Sequence, residues 1–170
     1  MNNENKASIP FSDGFYKGDA VDGIPHGKGI YFDELTFVEY EGDWVNGKMH
    51  GQGREEWTTD SLLYVGDWKN GKWHGKGKWR GSWYAEYEGD FFEGSFHDKG
   101  KYTEPDHRSP YVYEGDFVYG DQTGKGKKIY ADGKIYEGDF VNGKLHGIGK
   151  LIYPDGKVEK GRWENNVFLG

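Results

Sequence analysis

Five histidines recur at one position of a repeated segment and are the first candidates for metal chemistry: His26, His50, His74, His97 and His146. If each copy forms two strands, neighbouring histidines lie about 10 Å apart, because adjacent strands are about 4.8 Å apart. Zinc binds imidazole nitrogen at about 2.0–2.1 Å, so adjacent copies cannot share an ion. The spacing therefore predicts a structural role at the turns, with no metal site and no cofactor.

Residues that could act in catalysis are present, but they form no unique constellation. The Gly-x-Gly pairs lack the following helix and the Gly-Lys-Ser/Thr ending of a phosphate-binding loop. No serine lies in a Gly-x-Ser-x-Gly elbow, and there is no cysteine. Acidic residues recur in every copy, whereas a catalytic acid–base pair should occur once. The sequence predicts no catalytic residues and a protein that is not an enzyme.

Composition favours a core built from aromatic rings. The 170 residues include 29 glycines, and 18% are aromatic, so rings packed against glycine must supply most of the buried area. The net charge of −7 is spread evenly and argues against non-specific nucleic-acid binding. No apolar run approaches the roughly 18 residues that span a bilayer, and no N-terminal segment resembles a signal peptide. We therefore expect a cytoplasmic protein.

The recurring histidines, glycines and acidic residues all belong to copies of one stretch, Tyr136–Gly149. A nearly identical stretch covers Tyr40–Gly53, and looser copies begin at Tyr16, Tyr64, Tyr87 and Tyr113, with a truncated one near Glu159. The steps between starts are 24, 24, 23, 26, 23 and 23 residues. Self-similarity at such a period indicates a repeat array. We expect a polar N-terminal tail over residues 1–13 and one array over residues 14–170.

Each copy has the pattern of a β-hairpin. Tyr40, Gly42 and Trp44 alternate along one strand and therefore share a face. Asn46-Gly47 follows, which is the dipeptide most favoured where both turn residues need a positive φ. The second strand brings further glycines to the same face. One hairpin cannot bury such an aromatic face alone, so the hairpins should stack.

The opposite face should be charged and solvated. The third residue after each initial tyrosine is aspartate, and the second strands carry lysine or arginine, which predicts ion pairs between strands. Two places depart from the period: the fourth copy, with Asp98 for glycine and a different turn at Glu93, and the proline-containing loop Thr103–Pro110. The polar last half-copy is suited to cap the array.

The pattern Tyr-x-Gly-x-Phe/Trp, Asn-Gly and His-Gly-x-Gly at a step of about 23 residues resembles the MORN repeat (membrane occupation and recognition nexus). The resemblance covers residues 15–161. It implies an all-β fold, an elongated, twisted single-layer antiparallel sheet of stacked hairpins with a concave aromatic groove. It also implies a scaffold or adaptor role, as such repeats have in ciliary, cytoskeletal and junctional membrane proteins.

A partner groove is the binding site that the sequence predicts. Ten aromatic residues should line it: Tyr40, Trp44, Tyr64, Trp68, Tyr87, Phe91, Tyr113, Phe117, Tyr136 and Phe140. A second apolar row follows the turns and could make an edge contact with a partner or a second copy of this chain: Met49, Trp73, Phe96 and Leu145.

The partner expected for this groove is a helix or extended segment of another protein, because apolar helix faces bind such surfaces. The resemblance places the assembly in the cytoskeleton or cilium. One alternative is a peripheral membrane adaptor that binds acidic phospholipids such as phosphoinositides, although lipid recognition needs unpaired basic clusters. Another is a subunit whose groove is permanently filled within a large complex. A homodimer through open sheet edges also remains open.

Overall fold

Antiparallel hairpins follow one another along the chain in the computed structural model, which describes residues 6–106 and 108–170. Internal contacts divide the chain into an N-terminal unit, residues 1–82, and a C-terminal unit, residues 83–170. Both units consist of β-strands, which confirms the predicted all-β fold of stacked hairpins. No helix among the described residues is long and apolar enough to cross a membrane.

In the N-terminal unit, strands that follow one another within the unit pair antiparallel. The strands are β1 (Ala7–Pro10), β2 (Gly14–Val21), β3 (Ile24–Asp33), β4 (Val38–Val45), β5 (Lys48–Trp57), β6 (Leu62–Lys69) and β7 (Lys72–Arg80). Within the stretch predicted as a polar tail, β1 places Ile9 opposite Tyr16. Phe11 contacts the ring of Tyr31 edge-on at 5.5 Å, so apolar residues of this stretch cover the first hairpin.

The C-terminal unit repeats the same pairing. A short 3₁₀ turn, Ser82–Tyr84, precedes its first strand in sequence. Its strands are β8 (Glu86–Phe92), β9 (Ser95–Glu104), β10 (Tyr111–Val118), β11 (Asp121–Tyr130), β12 (Ile135–Val141), β13 (Lys144–Ile152), β14 (Val158–Glu164) and β15 (Val167–Phe168). The predicted irregular loop Thr103–Pro110 therefore begins with the last two residues of β9 and ends just before β10, and His107 within it lies outside the described residues.

A tyrosine packed over two glycines is the structural unit of each hairpin. Gly42 and Gly53 lie opposite each other in β4 and β5, and the ring of Tyr40 covers both. A Cβ on Gly53 would lie 2.4 Å from Cε2 of Tyr40, which is closer than van der Waals contact allows. Tyr113 and Gly126 repeat this arrangement in the C-terminal unit, with 2.5 Å for the same pair of atoms. The glycines are therefore required for space.

A bulge in the second strand explains the repeated aspartate. The register shifts after Gly42, where Gly51 has a φ of +59°. The Oδ2 atom of Asp43 accepts a hydrogen bond of 2.9 Å from the N–H of Gln52, a donor that the bulge removes from the ladder. In the fourth copy, Asp98 occupies the glycine position and keeps a positive φ of 48°.

The hairpin turns have the backbone that the Asn-Gly dipeptide predicts. Asn46 and Gly47 have φ values of 50° and 76°, and the N–H of Gly47 donates to the carbonyl of Pro25 in the preceding hairpin at 2.9 Å. Glu93 and Gly94 have φ values of 52° and 87°. The turn of the fourth copy therefore differs in sequence but not in backbone geometry.

Candidate partner-binding faces

The ten aromatic residues predicted to line a groove form an inner row in the core of their units. Their exposed fractions are only 0–4%. The hydroxyl group of each tyrosine turns back to the backbone; that of Tyr40, for example, donates to the carbonyl of Asp43 at 2.9 Å. Burial raises the pKa of Tyr136 to about 12, so these phenols stay neutral. A partner on this face would contact residues above the inner row, and partner binding itself stays a prediction.

The residues predicted as an edge contact lie on this same aromatic face. Met49 pairs with Trp44 across the hairpin. The ring of Trp73 stacks on Tyr64 at 4.7 Å, and that of Phe96 stacks on Tyr87 at 3.9 Å. Leu145 is buried, while the other three are half-buried. Trp73 and Phe96 thus cover tyrosines of the inner row, and an edge contact with a partner stays a prediction.

An outer row lies on the aromatic face, and its residues were not among the predicted site residues. In each copy it contains the residue two positions after the last glycine of the second strand, which lies opposite the initial tyrosine of the copy. These residues are Tyr31, Glu55 and Trp79 in the N-terminal unit, and Tyr102, Lys128 and Leu151 in the C-terminal unit. The alternation of strand side chains was the signal that could have identified it. Two members of the row carry a charge.

Glu55 lies among aromatic rings in the N-terminal unit. It is opposite Tyr40 on one side and Tyr64 on the other, and its Oε2 accepts a hydrogen bond of 2.9 Å from Nε1 of Trp73. Trp73 in turn contacts Trp57 edge-on at 5.9 Å. Burial raises the pKa of the Glu55 carboxyl to about 7, although the hydrogen bond from Trp73 opposes this effect.

Lys128 occupies the corresponding place in the C-terminal unit. It lies opposite Tyr113 and Tyr136, and its Nζ is 3.7 Å from the ring centre of Tyr111. Gln122 donates from Nε2 to the hydroxyl of Tyr111 at 3.3 Å. Burial lowers the pKa of the Lys128 ammonium. The cation is thus held against a ring, an arrangement worth roughly 0.5–2 kcal/mol depending on desolvation.

The repeated histidines lie beside the turns, as the spacing predicts. The Nδ1 atom of His50 accepts a hydrogen bond from the N–H of Asn70 at 3.4 Å, and that of His97 accepts from Tyr119 at 3.3 Å. Within the described part of the chain, no group of three or more His, Cys, Asp or Glu side chains is placed to hold a metal ion. The contacts of these histidines link one turn to the next.

The opposite face carries the predicted ion pairs. Lys28 contacts Asp43 at 2.5 Å, and in the C-terminal unit Lys125 contacts Asp139 at 2.5 Å and Lys150 contacts Glu137 at 2.8 Å. Exposed pairs of this kind each contribute at most roughly 1 kcal/mol. Clefts of 670 and 790 Å³ lie on this face, one within each unit. Charged side chains, including Lys28 in the first cleft and Lys125 in the second, line them together with glycines, and no aromatic ring of the described residues does.

An apolar row interrupts the charged face of the C-terminal unit and was not predicted. Five β-branched residues lie side by side across β10 to β14: Val112, Ile129, Ile135, Ile152 and Val158. Ile129 and Val158 are 40% and 51% exposed. Their positions fall outside the repeated motif, and strand pairing brings them together.

Comparison with known families agrees with the repeat geometry. The model of the MORN repeat family matches six segments of the chain: residues 16–33, 40–61, 64–84, 87–107, 113–135 and 136–158. Each segment starts at or beside an initial tyrosine of the inner row. No curated protein matches the chain.

Proposed function

Because the chain belongs to the MORN repeat family, a non-catalytic repeat type that mediates protein or membrane interactions, we propose that it is a non-enzymatic scaffold. Its aromatic face binds a helix or an extended segment of a partner protein. The assembly that it serves is cytoskeletal or ciliary, a proposal that the family resemblance alone supports.

The half-exposed layer above the inner row carries this proposal. In the N-terminal unit, Tyr31, Met49, Trp57 and Trp73 cover the buried tyrosines while remaining partly accessible. Large accessible apolar surfaces usually mark partner sites, and tryptophan and tyrosine are enriched among the residues that dominate binding energy. The sheet binds its partner through this layer, and the inner row keeps the layer in place.

The alternative of acidic-phospholipid binding has less support. A headgroup site needs lysine or arginine side chains that are free of acidic partners. Several lysines of the charged face in the C-terminal unit instead have carboxylate partners, among them Lys99 with Asp116 and Lys125 with Asp139. A headgroup would have to displace these pairs.

Co-purification from the native cell tests the proposal. The informative variant is Trp57→Ala/Met49→Ala, because both side chains are half-buried and changing them leaves the inner row intact. Ile30→Ala/Val65→Ala is the matched control, since both residues are exposed on the charged face. We expect the first variant to lose the bound partner and the control to retain it.

If both variants are folded, as judged by circular dichroism, and both retain the partner, the result would contradict binding at the aromatic face. Sedimentation with phosphoinositide-containing liposomes tests the alternative. Strong, salt-sensitive binding of the protein to those liposomes would favour the membrane adaptor over the protein scaffold.

A further inference from the structure

The Glu55 carboxylate is a charged group on an otherwise apolar part of the aromatic face. Its Oε2 accepts the hydrogen bond from Trp73, and its Oε1 accepts none from any residue that the structure describes. No lysine, arginine or histidine side chain of the described chain forms an ion pair with it. The carboxylate is therefore oriented by one donor but has no counter-charge.

The fold of the repeat does not require an acid at this position. Tyr31 and Trp79 occupy the same place in the neighbouring copies of the N-terminal unit, and an aromatic ring would extend the apolar layer. Burying a carboxylate without a cation is unfavourable. A group that costs stability and leaves one oxygen available has the features of a recognition site.

The geometry supplies both parts of a site for a cation. A basic side chain can form a charge-assisted hydrogen bond to Oε1. Its methylene groups can lie against the rings of Trp57 and Trp73, whose centres are 5.9 Å apart, and such rings also attract the cation itself. Beyond these rings, half-buried Leu62, which lies opposite Trp57, offers a further apolar contact.

This inference rests on the proposed function and specifies the partner: we propose that Glu55 binds a lysine or arginine side chain of the partner segment, flanked by apolar residues. In an extended segment those apolar residues lie two positions before and after the cation, because strand side chains alternate. In a helical segment they lie three or four positions away.

The affinity for such a segment depends on pH with a defined sign. The titratable groups that face Glu55 are Tyr40 from β4 and Tyr64 from β6, and burial raises the pKa of both phenols, so they stay neutral. The carboxyl, with its pKa raised to about 7, loses its charge as the pH falls. Binding of a basic segment should therefore weaken between pH 8 and pH 6.

Selection from a phage library of random twelve-residue peptides provides the test. Wild-type protein and Glu55→Gln are used as separate targets, with Glu56→Gln as the matched control, since Glu56 lies next in sequence and contacts Arg54. We expect wild type and Glu56→Gln to enrich peptides with one lysine or arginine among apolar residues. Glu55→Gln should not enrich them.

A selected peptide is then measured with its basic residue and with norleucine in its place, against both wild type and Glu55→Gln. Each single change should weaken binding about tenfold, and the two together should weaken it no further, as expected for directly interacting groups. The wild-type affinity should fall from pH 8 to pH 6, whereas that of Glu55→Gln should stay constant.

The outcomes separate this inference from the proposed function. Peptides that lose affinity with Trp57→Ala but bind wild type and Glu55→Gln equally would overturn the role of Glu55 and leave the aromatic face as the partner site. No enrichment on wild type, or binding unaffected by Trp57→Ala, would overturn both.

Discussion

Glu55 in the N-terminal unit and Lys128 in the C-terminal unit occupy the same place in the repeat and carry opposite charges. Each lies between two tyrosines of the inner row. Lys128 has a ring partner within its own unit, Tyr111 at 3.7 Å, whereas among residues 6–106 and 108–170 the Glu55 carboxylate has only the hydrogen bond from Trp73. The comparison indicates that the repeat determines where the side chain lies. The neighbouring residues then determine whether a charge at that place has a partner within the same unit.

The packing of tyrosine over glycine occurs in both units, so its disruption should destabilise both to the same extent. This loss of stability is the largest effect that we expect. Gly53→Val and Gly126→Val should each lower the free energy of unfolding by at least about 3 kcal/mol, because the new side chain must displace the tyrosine ring. Urea denaturation measures the loss, and hydrogen exchange assigns it to a unit.

Gly71→Asn and Gly143→Asn are the controls, since nothing lies within 4 Å of a Cβ at either position and asparagine tolerates a positive φ. They should change stability by less than about 1 kcal/mol. A small loss for one valine variant and a large loss for the other would show that the two units do not have the same packing.

Glu55 and Lys128 should each make the stability of the protein depend on pH, and the larger dependence should come from Glu55. Burial raises its pKa from the ordinary 4.5 to about 7, so the folded state holds this proton more tightly than the unfolded state. The contribution of this carboxyl to the free energy of unfolding is greatest below about pH 4.5 and is lost as the pH rises through about 7. The loss amounts to up to roughly 3 kcal/mol.

Glu55→Gln should remove this dependence, so the difference between its urea midpoint and that of wild type should grow from pH 4.5 to pH 7.5. Glu56→Gln, which removes the neighbouring carboxyl that contacts Arg54, is measured in parallel as the control. A constant difference between wild type and Glu55→Gln would mean that the carboxyl is solvated. For Lys128 the sign is opposite: its pKa is lowered, so its contribution improves as the pH rises towards 10.5.

The ring partner of Lys128 should be measurable as a coupling energy. In a double-mutant cycle, Lys128→Met and Tyr111→Leu should be non-additive by about 1 kcal/mol, because each removes one half of the cation–ring contact. Thermal or urea unfolding of the four proteins gives the value. Strict additivity would remove the distinction between a satisfied lysine and an unpaired glutamate.

The smallest effect that we expect concerns the bulge of the fourth copy. Asp98 has a φ of 48°, where Gly51 and Gly75 of the N-terminal unit have φ values of 59° and 56°. Asp98→Gly should therefore raise stability by roughly 0.5–1 kcal/mol, because glycine adopts this conformation without a Cβ penalty. Asp98→Ala is the comparison and should lower it. Equal unfolding midpoints for both variants would mean that backbone strain at this bulge is negligible.

Much of this structure could be predicted because it repeats. The tyrosines, the Gly-x-Gly pairs and the Asn-Gly turns give the hairpin, its faces and its stacking from local geometry alone. The ion pairs of the charged face also follow from alternation. Asp43 was assigned to that face correctly, but its hydrogen bond to the N–H of Gln52 was not predicted, because the bulge becomes visible only when two strands are paired.

The candidate site was harder to predict because accessibility depends on neighbouring strands. Tyr40 and Trp68 had the right face but were expected to line an open groove, and their rings contact each other at 4.9 Å and are buried. Glu55 breaks the aromatic pattern of its row, so a search for repeated residues passes over it. A single unusual residue has no periodic signal.

The sequence by itself determined the repeat, the strand faces and the family, since these follow from spacing and from the steric needs of tyrosine and glycine. Only the tertiary structure decided which rings are core and which are accessible, and that in the described part of the chain Glu55 has no counter-charge where Lys128 has a ring. The physical reason is that burial and charge balance are set by side chains from adjacent strands. Spacing along one strand cannot give those distances.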